Sequence, residues 1–291
     1  VEIIVVDNAS TDGSAAFVAE RFPDVRLIAL DENVGFAAGN NLAIREGDGD
    51  YVLILNPDIR VQPTTLRELL KALDAAPEAA AVGATMVGTD GRIQTEYYRR
   101  FPSRLQVALF YTTLSHLFSH IRCVRRRFLE YEIAGTNPVQ VDQLPGACIL
   151  VRRSVLDEIG LLDPDFFIWF EDVDWCYRMR QAGYRLYALP WVRVHHAGAA
   201  SLKNWSVDRR LWQFFRAYFR FLCKHQLENL IDWSFVVIRA DLVVKRWIVR
   251  LLRFVPVRST RRLEDIDTLS ALRDSIRNLI DRHHAGELVR L

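Results

Sequence analysis

The densest acidic cluster, Glu171-Asp172-Val173-Asp174, lies between Phe166-Phe167-Ile168-Trp169-Phe170 and Trp175. A carboxylate among that many apolar rings is partly desolvated, which raises its basicity toward what a general base needs. Asp172 is the candidate base, whereas Asp174 fits better as an acid in the first turn of a helix, where the dipole favours negative charge. Another carboxylate, Asp58, follows an apolar run through Asn56-Pro57. A side chain so placed can coordinate Mg²⁺ or Mn²⁺ bridging two phosphates, although Asn-Pro-Asp is also ordinary turn chemistry. His195 and His196 end a further apolar stretch, and one imidazole could complete a metal site with Asp58. Neighbours on a strand face opposite ways, so only one of the two fits. Asp7 closes the run Val1-Glu2-Ile3-Ile4-Val5-Val6. Its carboxylate could accept the imide N–H of a uracil or thymine ring, or could cap the helix that follows. His116 and His120 stand at i and i+4, but no third ligand accompanies them and a structural role is the better account.

These side chains need a frame. Residues 1–6 are a β-branched apolar run of the kind buried in a parallel sheet. A polar turn follows, then a short helix over 15–22 ended by Pro23. The unit repeats as strand 25–30, helix 35–46, strand 51–55 and helix 63–75. Such alternation predicts an α/β fold with a mostly parallel sheet and helices on both faces. Ligands in these sheets bind beyond the carboxyl ends of the strands, so the loops holding Asp7 and Asn56-Pro57-Asp58 should open on one cleft. Residues 92–145, with an Arg-rich patch at 122–127 and a helix ahead of it, yield no detailed element pattern. From Leu144 order returns: a strand over 148–151, a helix around 154–159, an acidic helix start at 171–174 running to 182 and stopped by Gly183, then strands over 186–190 and 191–196. Beyond Leu202 the pattern is helical. The expected division is a catalytic domain over 1–202 and a C-terminal helical extension over 203–291.

With 291 residues, half of them hydrophobic and a quarter charged, the composition excludes a disordered or disulfide-dense chain. Cys123, Cys148, Cys176 and Cys223 contain no C-x-x-C pair and are expected to be free thiols in a reducing cytosol. The longest stretch without Asp, Glu, Lys or Arg, residues 105–121, is too polar to span a membrane. Residues 239–262 hold eight Lys or Arg against one acid, Asp241. Along a helix, Trp233, Val237, Ala240, Val244, Trp247, Ile248, Leu251 and Val255 share one face, while Arg239, Arg246, Arg250 and Arg253 gather opposite. Such a helix could lie on an anionic membrane surface, or could pack on the catalytic domain. No nucleic-acid module accompanies the basic tail, so nucleic acid is not an expected partner. The expected location is the cytoplasm, with possible peripheral attachment to the inner face of the cell membrane.

Together these segments resemble family 2 of the GT-A glycosyltransferases, particularly its rhamnosyltransferase-like bacterial members. The resemblance rests on motifs in order: Val5-Val6-Asp7-Asn8-Ala9-Ser10-Thr11-Asp12-Gly13, Asn33-Val34-Gly35-Phe36-Ala37-Ala38-Gly39-Asn40-Asn41, and Asn56-Pro57-Asp58. Gly146-Ala147, Gly160-Leu161-Leu162-Asp163 with Phe166-Phe167, Glu171-Asp172-Val173-Asp174 with Arg178, and Gly183-Tyr184 follow. It implies a GT-A, Rossmann-like fold and an inverting, metal-dependent transfer from a nucleotide sugar, with Mg²⁺ or Mn²⁺. Asp7 would contact the nucleobase, with Asn8, Asn33, Gly35, Asn40 and Asn56 beside it in nucleotide binding. Asp58 would bind the metal diphosphate, with His196 as second ligand because its distance from Pro190 and Ser201 fits the family better than that of His195. Asp172 would deprotonate the acceptor hydroxyl, supported by Glu171. The implied donor is a dTDP- or UDP-sugar, rhamnose first, and the acceptor a lipid-linked or cell-envelope glycan. The family normally begins with one more strand, and this first strand is expected to be missing from the sequence. A nucleotidyltransferase that makes nucleotide sugars would need a Gly-rich triphosphate loop with a Lys, which is not seen. A non-catalytic, membrane-associated nucleotide-sugar-binding protein is opposed by intact Asp58, Glu171 and Asp172.

Overall fold

Residues 79–87, Ala-Ala-Ala-Val-Gly-Ala-Thr-Met-Val, are poor strand formers by composition, since alanine and glycine are depleted in strands. In the computed structural model, which describes residues 1–110, 121–198 and 205–252, they form the middle strand of the main sheet, buried along its whole length. In chain order the elements are β1 (Ile4–Asp7), α1 (Ser14–Arg21), β2 (Arg26–Ala29), α2 (Phe36–Glu46), β3 (Tyr51–Leu55), β4 (Ile59–Arg60), α3 (Thr65–Asp74) and β5 (Ala79–Val87). A 3₁₀ turn (Thr95–Tyr97), α4 (Arg104–Phe110), α5 (Arg122–Phe128), β6 (Val139–Gln140), β7 (Cys148–Arg152) and α6 (Arg153–Ile159) follow. The described elements end with α7 (Glu171–Gln181), β8 (Arg185–His196), α8 (Val207–Lys224) and α9 (Glu228–Leu252).

The chain divides into two compact units, Val1–Phe101 with Tyr131–Gly198, and Pro102–Glu130 with the residues after Gly198. In the first, β1 and β2 pair in parallel. The main sheet runs β3-β7-β5-β8-β4, with β6 also on β8. β5 and β8 are parallel, whereas β7 is antiparallel to both β3 and β5, and β4 and β6 are antiparallel to β8. The α/β sheet is therefore mixed. Strand direction depends on how the chain returns through 88–147, which periodicity alone does not encode. α3 seats Leu69 and Leu73 against β5 and β8, and Tyr98 pins the far end of β5 by accepting from Met86 N (2.9 Å) and donating to Ala84 O (2.5 Å).

The two strands expected over 186–190 and 191–196 are one, β8, with a bulge. Its pairing with β5 jumps from Ala84↔Leu189 to Thr85↔Arg193, and Thr85 Oγ1 donates to Leu189 O (2.8 Å) across the gap. Pro190 has no N–H to give a ladder, so the break falls where the sequence demands it. Beyond the bulge, Val192, Val194 and His196 face inward and His195 outward.

In the second unit, α8 and α9 pack through Tyr218, Phe219, Phe221, Leu222 and Ile231, and Trp233 Nε1 of α9 donates to Arg104 O of α4 (2.8 Å). Ser206 caps α8 by accepting from Arg209 N. His116, His120, Arg253 and Val255, and the whole of the expected extension beyond Leu252, lie outside the described residues. None of the four cysteines forms a disulfide.

Candidate active site

Asp7 ends β1 and is buried, with Oδ2 accepting from Ser10 N at 3.0 Å. It therefore orders its own loop and does not cap α1, which starts at Ser14 behind a left-handed Gly13. Asn8 clamps the next motif: Oδ1 accepts from Val34 N (2.8 Å) and Nδ2 donates to Gly35 O (3.1 Å). Asn33 Oδ1 accepts from Gly35 N at 3.0 Å. Gly35 has φ +87°, and a Cβ there would stand 2.8 Å from Phe167 O, the carbonyl that receives Phe36 N. Only glycine allows both the left-handed backbone and this approach. Asn40 is spent within α2, donating to Phe36 O (2.9 Å). Its neighbour Asn41 is buried and holds Leu162 through two hydrogen bonds, 2.7 Å and 3.1 Å, tying α2 to the segment ahead of Glu171.

β3 delivers Asn56-Pro57-Asp58 beside β7. Asn56 N donates to Ala147 O at 2.9 Å, and one residue earlier Gly146 N donates to Asp172 Oδ2 at 2.9 Å. A Cβ on Gly146 would come within 3.3 Å of both Asp172 Cβ and Phe36. The short loop 145–147 thus joins the Asp58 turn to the candidate base. Asp172 also accepts from Val173 N (2.8 Å). Ahead of it, Trp169 and Phe170 both take positive φ, 63° and 66°. Two consecutive strained non-glycine residues are costly backbone, of the kind concentrated at functional sites.

Glu171 is 7% exposed, and its Oε2 is buried without a hydrogen-bond partner. Burial pushes its carboxyl well above the usual range, and the neighbouring Asp172 charge pushes it further. Asp172 is also raised by burial but is restrained by the Gly146 and Val173 N–H groups. Both carboxyls are thus raised by burial, and Asp172 is the one whose ionised form is favoured by N–H donors from neighbouring residues. Because the folded Glu171 holds its proton more tightly than the unfolded chain does, stability attributable to it is complete below about pH 4 and is lost as pH rises toward the folded value. Glu171→Gln should accordingly match wild type in acid and become the more stable protein toward neutral pH. Urea melts across that range check this, and a variant weaker than wild type at neutral pH would mean an ionised, partnered Glu171.

Asp58 and His196 meet where β4 pairs with the end of β8. Ile59 faces His196 in register, Ala197 N donates to Asp58 O (3.2 Å), and His196 Nε2 lies 3.5 Å from Asp58 Oδ2. Asp58 Oδ1 is buried and unpaired. On the other side of the ring, His196 Nδ1 is 3.0 Å from Gln94 Oε1, and Tyr97 meets the imidazole edge-on at 5.2 Å between centroids. The Tyr97 phenol is pushed up chiefly by burial, then by the carboxylates of Glu96, Asp58 and Asp172, so both candidate acidic centres act on it. Gln94 and Tyr97 fall within the segment where no element pattern was legible. Among the described residues no group of three or more His, Cys, Asp or Glu could hold a metal ion. A carboxylate with an orphaned oxygen beside an imidazole nonetheless fits a cation that takes its other ligands from phosphate and water, as Mg²⁺ does at phosphate sites.

The sequence model described as glycosyl transferase family 2 matches residues 1–160. An N-acetylglucosaminyl-diphospho-decaprenol L-rhamnosyltransferase of Mycobacterium tuberculosis is 30% identical over 215 residues, covering 69% of this chain and 68% of the relative. The fold is similar to GalNAc-T7 with UDP, GalNAc and Mn²⁺ (TM-score 0.52, 16% identity, 76% of this chain and 41% of that one). It is also similar to the mannosyltransferase PcManGT of Pyrobaculum calidifontis in complex with GDP-Man and Mn²⁺ (TM-score 0.51, 19% identity, 97% and 78%). At these identities the two structures establish the architecture, that of the GT-A glycosyltransferases.

Proposed function

This chain belongs to glycosyl transferase family 2, among its rhamnosyltransferase-like members, and from that premise we propose that it transfers a hexose with inversion from a dTDP- or UDP-linked donor, rhamnose first, to a hydroxyl of a lipid-linked cell-envelope glycan. One connection carries the proposal: loop 145–147 bonds the Asp58 turn through Asn56 and the Asp172 carboxylate through Gly146. A diphosphate at Asp58 and an acceptor hydroxyl at Asp172 would then be held in fixed relation, as an in-line displacement requires.

In this mechanism Asp7 receives the base, and the Asn8, Asn33 and Gly35 loop closes over the nucleotide. Asp172 takes the acceptor proton as the hydroxyl oxygen bonds to the anomeric carbon, and the bond from that carbon to the diphosphate oxygen breaks with its electron pair. Attack opposite the leaving group inverts the anomeric centre. Burial of Glu171 favours its neutral form, which limits the charge placed beside the base. A divalent cation held by Asp58 and His196 would neutralise the departing diphosphate.

The acceptor is proposed to be a sugar on a polyprenyl diphosphate, the chemistry named for the mycobacterial relative. No described helix is long and apolar enough to cross a membrane. On α9, however, Trp233, Val236, Ala240, Val243, Val244 and Trp247 are exposed along one face, with Arg239 also exposed, while Leu230, Ile231, Ser234 and Asp241 are buried. Two tryptophans with aliphatic residues and a basic neighbour suit the surface of an anionic bilayer, where such an acceptor resides. Transfer from dTDP-rhamnose to a prenyl-diphosphate-linked acceptor in anionic vesicles tests both parts. The product anomer should be opposite to that of the donor, and the protein should float with the vesicles unless Val243 and Val244 are changed to Glu. Retention of configuration would overturn the mechanism, and equal flotation of the variant would remove α9 as the contact.

A further inference from the structure

We infer that Gln94 is a positioning residue for the transfer: its side-chain amide fixes the orientation and tautomer of His196 so that Nε2 faces Asp58 with a free lone pair. The inference rests on the proposed role of Asp58 and His196 as cation ligands, and it concerns a residue outside every motif in the sequence.

The amide oxygen Oε1 lies 3.0 Å from His196 Nδ1. An amide oxygen only accepts, so in this arrangement Nδ1 bears the proton and Nε2 keeps its lone pair. Nε2 looks toward Asp58 Oδ2 at 3.5 Å, beyond the 2.7–3.2 Å range of an N–H···O bond. Asp58 Oδ1, with no partner, is buried beside it. Lone pairs therefore converge on the space between carboxylate and imidazole. Histidines that ligate metals almost always give their other N–H to a carbonyl or carboxylate, which sets the ring and its basicity.

Gln94 is held firmly enough for the task. The chain leaves β5, turns with Gly88 N donating to Arg92 O (2.9 Å), and bridges back from Ile93 to Val87. Gln94 N then donates to Met86 O at 3.0 Å, and Tyr97 N donates to Gln94 O at 3.3 Å. Met86 is itself fixed by the Tyr98 hydroxyl. The amide is thus carried on backbone bonded to the buried middle strand, and the imidazole it faces is held on another side by the Tyr97 ring. A neutral amide selects the tautomer without adding a negative charge next to the donor diphosphate.

The full chain labelled with ¹⁵N supplies a readout that needs no turnover. Long-range ¹H–¹⁵N spectra, with the His196 signals assigned from His196→Gln, report its tautomer at a pH where imidazole is neutral. Wild type and Gln94→Glu, which keeps an accepting oxygen, should show protonated Nδ1, whereas Gln94→Leu should show a mixture or the other tautomer. Mn²⁺ titration followed by electron paramagnetic resonance, with the nucleoside diphosphate present, should show about 10–100-fold weaker binding for Gln94→Leu and near-wild-type binding for Gln94→Glu. A folded Gln94→Leu with wild-type tautomer would overturn the inference, as would protonated Nε2 in wild type. If wild type binds no Mn²⁺ but the tautomer responds to Gln94, the positioning contact stands and the cation role of the site fails.

Discussion

Replacing Asp172 with Asn should lower kcat by about 10²–10⁴-fold, the usual contribution of a positioned general base, while donor affinity stays at the wild-type level. The substitution is nearly isosteric, and an Asn side-chain oxygen can still accept from Gly146 N, the contact that links loop 145–147 to α7. What it removes is the capacity to take a proton. Burial raises the Asp172 carboxyl above the ordinary aspartate range, against the lowering effect of backbone N–H groups, those of Gly146 and Val173 first. The wild-type rate should therefore rise with pH through that elevated value as the base ionises, and the small residual rate of Asp172→Asn should lack this limb. Steady-state kinetics across pH, paired with calorimetric donor titration, check both. A variant that turns over at the wild-type rate would remove Asp172 from the role.

The Asp58→Ala protein should lose metal-dependent nucleotide binding by at least about 100-fold, since even an outer-shell change at a metal site costs about 10–100-fold in affinity. Its stability without ligand should not fall. Asp58 Oδ1 is buried with no partner, so the unliganded protein bears the desolvation cost of an unsatisfied acceptor, which Ala relieves. The backbone bond from Ala197 N to Asp58 O survives the change. Opposite movement of affinity and stability distinguishes a functional carboxylate from a structural one. Calorimetric titration of the nucleoside diphosphate with and without Mn²⁺, alongside thermal melts, measures each.

The elements that frame Asp7, Asn33 and Asp172 were legible because their signals are local. β-Branched runs give β1 and β3, Pro23 stops α1, and the acidic turn at 171–174 opens α7. Distance from Pro190 and Ser201 already favoured His196 over His195 in the sequence, and the physical difference between them lies on β8, where the alternation after the Pro190 bulge turns His196 inward and His195 out. β5 was hidden for the opposite reason. Its alanines carry almost no strand preference, and it is a strand because neighbours pair with it on both edges and cover it. Gln94 was hidden for the same kind of reason: a lone polar residue in an irregular stretch has no periodicity, and only the return of the chain along β5 sets it against His196. Asn41 illustrates a subtler limit. Its motif position was visible, but which of two adjacent asparagines turns inward depended on helix phase. α2 buries Asn41 against Leu162 and leaves Asn40 bonded within the helix.

Titration of the wild-type chain with a panel of dTDP- and UDP-sugars, with and without Mn²⁺ or Mg²⁺, tests the account most directly. One nucleotide should bind, with affinity strengthened by the cation. A folded protein that binds none of them, or binds one with the same affinity whether or not the cation is present, would contradict the proposed metal-dependent transfer at Asp58 and His196.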